Sequence, residues 1–165
     1  FVLVLLLAGR DLQEADVRTL IKLTFQWLEH SATKEHAGPI LKTLLEREDV
    51  EGTEALQAVA LALEWIKRYG TAEISAYLLR ALLRRADLPQ SQLRDIVSQA
   101  LQWQSSFCLK EEADFVLKAL LGRTDLQEAE IQQAVPFALE WLDRSSEKAE
   151  ASFIIRALLE CKSIS

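Results

Sequence analysis

Four cations recur at one spacing in this chain: Lys42, Arg80, Lys118 and Arg156 stand 38 residues apart. Positive charge at a fixed pitch can hold an extended anionic partner, each cation meeting one carboxylate or phosphate. The residues next to them are small, Thr43, Ala81, Ala119 and Ala157. Small next to basic lets a ligand backbone approach. Arg84 is counted with this candidate binding set. The same cations also fit a plain solvated face with i,i+4 pairs such as Lys42–Glu46 and Asp114–Lys118. The column breaks once, at Val4.

A second cation column, Arg47, Arg85 and Arg123, lies two residues before Asp49, Asp87 and Asp125. Each Arg can reach its own Asp or that of the next unit, so this column is expected to form a ladder between units. Trp27, Trp65, Trp103 and Trp141 also stand 38 apart. They either fill the space between units or form an aromatic ladder on which bases stack. Their place on an apolar stripe favours core.

No catalytic or metal-binding set emerges. His30 and His36 flank one loop, but no Cys or carboxylate recurs at zinc spacing. Cys108 and Cys161 fall at opposite ends of antiparallel helices. A 13-residue helix puts them about 20 Å apart, too far for a disulfide. Neither has a neighbouring His, so neither reads as a nucleophile. The carboxylates are spread out, and none forms the desolvated pair that acid–base catalysis needs. No cofactor is implied.

The elements that position these columns follow from the repeat itself. Length is 165 residues, room for one ordinary domain. Half of the residues are hydrophobic and 27% are charged, enough apolar surface for a core and too much for disorder. With 5 Gly, 3 Pro and no Asn, turn formers are scarce, which argues against many strands. Spacing divides the chain into units 1–38, 39–76, 77–114 and 115–152 and a half unit 153–165. Leu pairs at 6–7, 44–45, 82–83, 120–121 and 158–159 hold the register without an insertion.

Each unit carries two helix-period segments. Helix A spans roughly 72–84 in the third unit, and helix B roughly 50–68. Asp11, Asp49, Asp87 and Asp125 are read as N-caps of helix B, with capping-box spacing at Asp11–Glu14 and Asp125–Glu128. Pro89 falls in the first turn of its helix, where a missing N–H costs nothing. Pro136 lies inside the last helix B and is expected to bend it and free the carbonyl of Gln132. The apolar start, residues 1–7, looks like a signal-peptide core but is better explained as a helix A.

The predicted fold is therefore all-α: a right-handed α-solenoid of four and a half helix-turn-helix repeats, one elongated domain. The units with Ala62-Leu-Glu-Trp65, Ala100-Leu-Gln-Trp103 and Ala138-Leu-Glu-Trp141 resemble the tetratricopeptide/HEAT kind of helical repeat. That resemblance is architectural and implies a surface that holds protein partners. The missing Met and the uncapped ends suggest a piece of a longer protein. Val4, Leu5 and Phe1 are then apolar residues that a preceding unit would cover.

The net charge of −6 argues against general nucleic-acid binding. No apolar run reaches the ~18 residues of a membrane span. Basic residues exceed acidic ones on the helix A segments, and acidic ones dominate helix B. The expected function is cytoplasmic protein or acidic-peptide binding on the helix A row, without catalysis. Other domains of the same chain are a further candidate partner. The alternative is single-stranded RNA binding through the basic column, and a third, a HEAT-like glycosylase, would need a far more basic groove than this chain offers.

Overall fold

The computed structural model describes residues 2–9, 13–31, 34–70, 73–108, 110–145 and 151–160. Every regular element among them is an α-helix. In chain order they are α1 (Val2–Ala8), α2 (Glu14–Ser31), α3 (Ala37–Leu45), α4 (Gly52–Tyr69), α5 (Ile74–Arg84), α6 (Gln90–Phe107), α7 (Ala113–Leu121), α8 (Glu128–Ser145) and α9 (Ala151–Glu160). Short and long helices alternate. The long ones each have 18 residues and open at Glu14, Gly52, Gln90 and Glu128, again 38 apart. The apolar start is indeed helical, as α1. No helix among the described residues is long and apolar enough to cross a membrane.

Backbone contacts group the chain into two compact units, Phe1–Ala81 and Leu82–Ser165. In the first, α3 packs on α4 and α1, and α1 and α3 also touch α2. In the second, α7 packs on α6, α8 and α9, and α8 packs on α6 and α9. The short helices supply two adjacent rows to the core. Ile40, Leu41, Leu44 and Leu45 of α3 are buried, as are Val116, Leu117, Leu120 and Leu121 of α7. The long helices bury one stripe: Ala55, Ala58, Val59, Ala62, Trp65 and Ile66 in α4. This is the i, i+3, i+4, i+7 pattern that a helix covered on one side needs.

Trp65, Trp103 and Trp141 are buried and Trp27 is half-buried, so the column belongs to the core. Trp65 donates its indole N–H to the Lys34 carbonyl at 2.9 Å and packs on Tyr69 with ring centroids 5.0 Å apart. Trp103 packs in the same way on Phe107, at 5.3 Å. Ladder stacking of bases on these indoles would require them at the surface.

The Asp residues are not the caps that the spacing suggested. Helix α4 starts at Gly52, three residues after Asp49, and its N-cap Glu51 makes no side-chain cap bond. Pro89 is likewise the N-cap of α6, one residue before the helix. Each Asp carboxylate is instead chelated by the Arg two residues earlier. Arg47 Nε and Nη2 meet Asp49 at 2.7 and 2.5 Å, Arg85 meets Asp87 at 2.9 and 2.6 Å, and Arg123 meets Asp125 at 2.8 and 2.7 Å. A carboxylate so held cannot also turn to an N–H two residues further on. Capping at α8 comes from Glu130, which accepts from the Gln127 N–H at 2.7 Å, the reach-back half of a capping box. Asp11 lies outside the described residues. The entry to α4 has its own device: Gly52 takes φ +56, a left-handed conformation that glycine adopts without a Cβ clash.

The third donor of Arg47 and of Arg123 also reaches across a repeat, but back to carbonyls of an earlier helix and not to the Asp of the next unit that the ladder reading expected. Arg47 Nη1 donates to the Leu7 carbonyl at the end of α1. Arg123 Nη1 donates to the carbonyls of Leu83, at 2.5 Å, and Arg85, at 3.0 Å, at the end of α5. Helix C-termini leave four carbonyls without intrahelical partners. Here a cation from the next hairpin satisfies them, which also suits the helix dipole. Helix α8 is assigned as continuous through Pro136, which is exposed.

Packing in the first unit is tight between α3 and α4. A Cβ added at Gly38 would lie 2.8 Å from Trp65 Cζ2 and 3.2 Å from Ile74 Cγ1. In an exposed helix, Gly→Ala stabilises by about 0.5–1 kcal/mol. At Gly38 the sign should reverse. Overpacking costs about 1–3 kcal/mol, so Gly38→Ala should lower the melting temperature and perturb the Trp fluorescence. A stabilised Gly38→Ala protein would show that the Trp65 contact is not tight.

Candidate functional site

Of the five predicted binding residues, two share a groove. In the second unit, Arg84 and Lys118 line a cleft of about 520 Å3 together with Ala119, Arg123, Asp125 and Phe153. Arg84 ends α5, Lys118 sits in the middle of α7, and Phe153 comes from α9. Lys42 lies on α3 and Arg80 on α5, both in the first unit and both half-buried. Arg156 is exposed on α9 and does not line the groove.

Much of the charge in these columns is already engaged. Lys42 Nζ meets Glu46 at 2.6 Å, and Lys118 Nζ meets Asp114 at 3.3 Å. These are the two i,i+4 pairs of the solvated-face reading. Arg123 is taken by Asp125 and by two carbonyls. Arg84 is exposed and carries no ion pair among the described residues. It is thus the cation in this groove best placed to meet a carboxylate from outside.

Two features, one in the groove and one outside it, are not evident from the repeat spacing. Phe153 is 45% exposed and gives the groove an aromatic wall. The register shows why it has room: a Cβ at Gly122 would come 4.0 Å from Phe153 Cζ. The equivalent position one repeat earlier is Arg84 itself, so a long side chain is replaced by none. The other feature is a clamp on the opposite row. Arg94 of α6 pairs with Glu130 of α8 and donates to the Asp125 carbonyl at 2.8 Å and to Gln90 Oε1 at 3.1 Å. Its two charges are 36 residues apart, so no column at 38 reveals them.

A second cleft of about 620 Å3 runs between α6 and α8, lined by Val97, Leu101, Gln102, Glu130, Gln133 and Phe137 among others. Its described lining includes no cation. Cys108 donates to Glu140 Oε2 at 3.5 Å. Burial first, then Glu140, pushes its thiol up from the ordinary cysteine range, which keeps it protonated and poorly nucleophilic. Cys161 lies outside the described residues. No group of three His, Cys, Asp or Glu among the described residues could hold a metal ion. His30 Nδ1–H donates to the Gln26 carbonyl at 3.2 Å. Comparison with family models, with curated proteins and with solved structures gives no match for this chain.

The clamp carboxylates set the pH dependence. Hydrogen bonds from Arg47, Arg85 and Arg123 hold Asp49, Asp87 and Asp125 below the usual carboxylate range. A lowered folded-state pKa contributes stability above the unfolded value, near pH 4. That stability disappears as pH falls through the folded values. The carboxylates are partly solvated, so each contribution is small. Melting temperature should drop between about pH 4 and pH 2. The triple variant Asp49→Asn, Asp87→Asn, Asp125→Asn should melt lower at pH 7 and show a flatter acid limb. An acid limb identical to wild type would assign acid lability to other carboxylates.

Proposed function

We propose that this chain is a binding scaffold without catalysis, a right-handed solenoid of αα-hairpins forming one elongated cytoplasmic domain. Its helix A row would hold a protein or an acidic, extended peptide. The observation that supports this reading most is the groove of the second unit, where Arg84 and Lys118 converge beside Phe153 and Ala119. A cation, an aromatic wall and a small floor suit a segment that alternates carboxylates with apolar side chains. Lys42, Arg80 and Arg156 hold the same repeat position as Lys118 and serve the same role on their own helices. The likeness to tetratricopeptide and HEAT repeats, which mostly hold protein partners, points the same way. Partly solvated ion pairs contribute about 0.2–1 kcal/mol each, so such a peptide binds at micromolar concentration or weaker.

A labelled peptide with Glu at every third residue and Leu between them is a direct probe. Its fluorescence anisotropy should rise with wild-type protein. The double variant Arg84→Glu, Lys118→Glu should lose that response and keep its melting temperature. A double variant that unfolds would make the cations structural. One that folds and binds as wild type does would move the site off this groove. Binding of single-stranded RNA with a steep salt dependence, absent for the peptide, would replace this reading with the nucleic-acid one.

A further inference from the structure

The cleft between α6 and α8 differs from the rest of the long-helix surface in its charge. Residues 96–109 form a run of fourteen without a charged side chain, and residues 131–139 of α8 carry none either. The repeat supplies internal controls. Ser98, Gln102 and Ser105 of α6 line the cleft. At the same three repeat positions α2 has Lys22, Gln26 and Glu29, α4 has Ala60, Glu64 and Lys67, and α8 has Pro136, Glu140 and Asp143. Of the four long helices, only α6 is uncharged at all three. Glu130, the carboxylate of the lining, is already taken by Arg94 and by the Gln127 N–H at 2.7 Å. A charge entering this cleft would lose water and meet no uncommitted counter-charge in the described lining, which disfavours it.

What the cleft does offer is amides beside an apolar floor. Val97 and Leu101 are buried and Phe137 is half-buried, and together they supply that floor. Gln102 lines the cleft from α6 and Gln133 from α8. Both are exposed, and neither side-chain amide has a partner among the described residues. Each amide brings two donors and an acceptor. Pro136 adds to the α8 wall: it has no N–H for the Gln132 carbonyl, which keeps an acceptor available next to Gln133. Along α6 the lining runs from Val97 to Ser105, about 12 Å at the rise of a helix. That length takes about four residues of extended chain.

We propose that this cleft binds an uncharged, extended peptide segment with an apolar residue at every second position. An extended backbone presents its N–H and C=O groups sideways and its side chains alternately up and down. Lying between the two helices, it meets Gln102 on one side and Gln133 with the Gln132 carbonyl on the other. Its alternate side chains rest on Val97, Leu101 and Phe137. A sugar fits less well, because its hydroxyls donate best to a carboxylate and Glu130 is committed. The site uses none of the cations of the Arg84 groove, so it stands apart from the acidic-peptide reading.

Titration of the isotope-labelled chain with the capped peptide acetyl-Gln-Leu-Ser-Leu-Gln-amide, followed by amide NMR, tests this. Shifts should saturate and map to residues 97–105 and 130–137. The midpoint should stay put when salt is raised, since no charge pair forms. Gln102→Ala with Gln133→Ala should weaken binding about tenfold. Both residues are exposed, so the melting temperature should not change. Gln133→Glu alone, which keeps the shape and loses the donors, should weaken binding as well. No saturable shifts, shifts confined to the Arg84 groove, or a double variant that binds as wild type does would overturn the proposal. Saturable shifts in this cleft from maltotriose but not from the peptide would overturn it in favour of a sugar site.

Discussion

One guanidinium, in each of two hairpins, does two jobs that the packing around it depends on. Its Nε and Nη2 edge chelates the Asp two residues ahead, which fixes the turn between the short and the long helix. Its remaining Nη1 reaches back to the carbonyl end of an earlier short helix: Arg47 to Leu7, and Arg123 to Leu83 and Arg85. A Lys could not do both, because an ammonium has no fixed fork. Charged hydrogen bonds of this kind contribute about 1.5–3 kcal/mol when buried. The Asp is what makes the reach specific. It holds the guanidinium plane in one orientation, so the third donor is aimed and does not have to be ordered on its own.

That clamp explains why strict spacing matters along this chain. A one-residue insertion between Arg47 and Asp49 would break the chelate. One between Leu7 and Arg47 would move the acceptor carbonyl by a third of a helical turn. The short helices tolerate little slippage either, since both of their apolar rows are used. A helix of nine residues with Leu on two adjacent rows has neighbours on both sides. Its core cannot be re-registered by one residue without exposing one row.

The helices were legible because their period and their unit spacing agree. The 38-residue columns placed every long helix within about two residues at its start, and the apolar stripe of α4 fell as expected. The cap assignment failed for a physical reason. Asp followed by Glu or Gln three residues on fits a capping box, but it fits equally an Asp chelated by a nearby Arg. The two differ by two residues in where the helix begins, and only the fold decides between them. Within the groove, Arg84 and Lys118 were found from their charge and register. Phe153 was missed because an aromatic on an apolar helix reads as core. Arg94 and Glu130 were missed because a contact between neighbouring long helices need not follow the repeat period. Arg18 and Glu54 stand at the same 36-residue spacing, yet Arg18 pairs with Glu14 on its own helix at 2.7 Å. Spacing therefore supplies the candidates, and local competition selects among them.

The same economy of charge bears on what the groove can recognise. Lys118 is shared with Asp114, and Arg123 is committed to the clamp. In the proposed binding mode, Arg84 supplies most of the electrostatic attraction, through one exposed pair of about 0.2–1 kcal/mol. Covering an exposed aromatic such as Phe153 contributes more, about 1.5–3 kcal/mol if it becomes fully buried. An acidic residue then selects the orientation of a partner, and an apolar residue beside it supplies most of the affinity. A purely acidic peptide would gain little from such a site. Discrimination would rest on the spacing between one carboxylate and one hydrophobic side chain, set by the separation of α5 from α9 across α7.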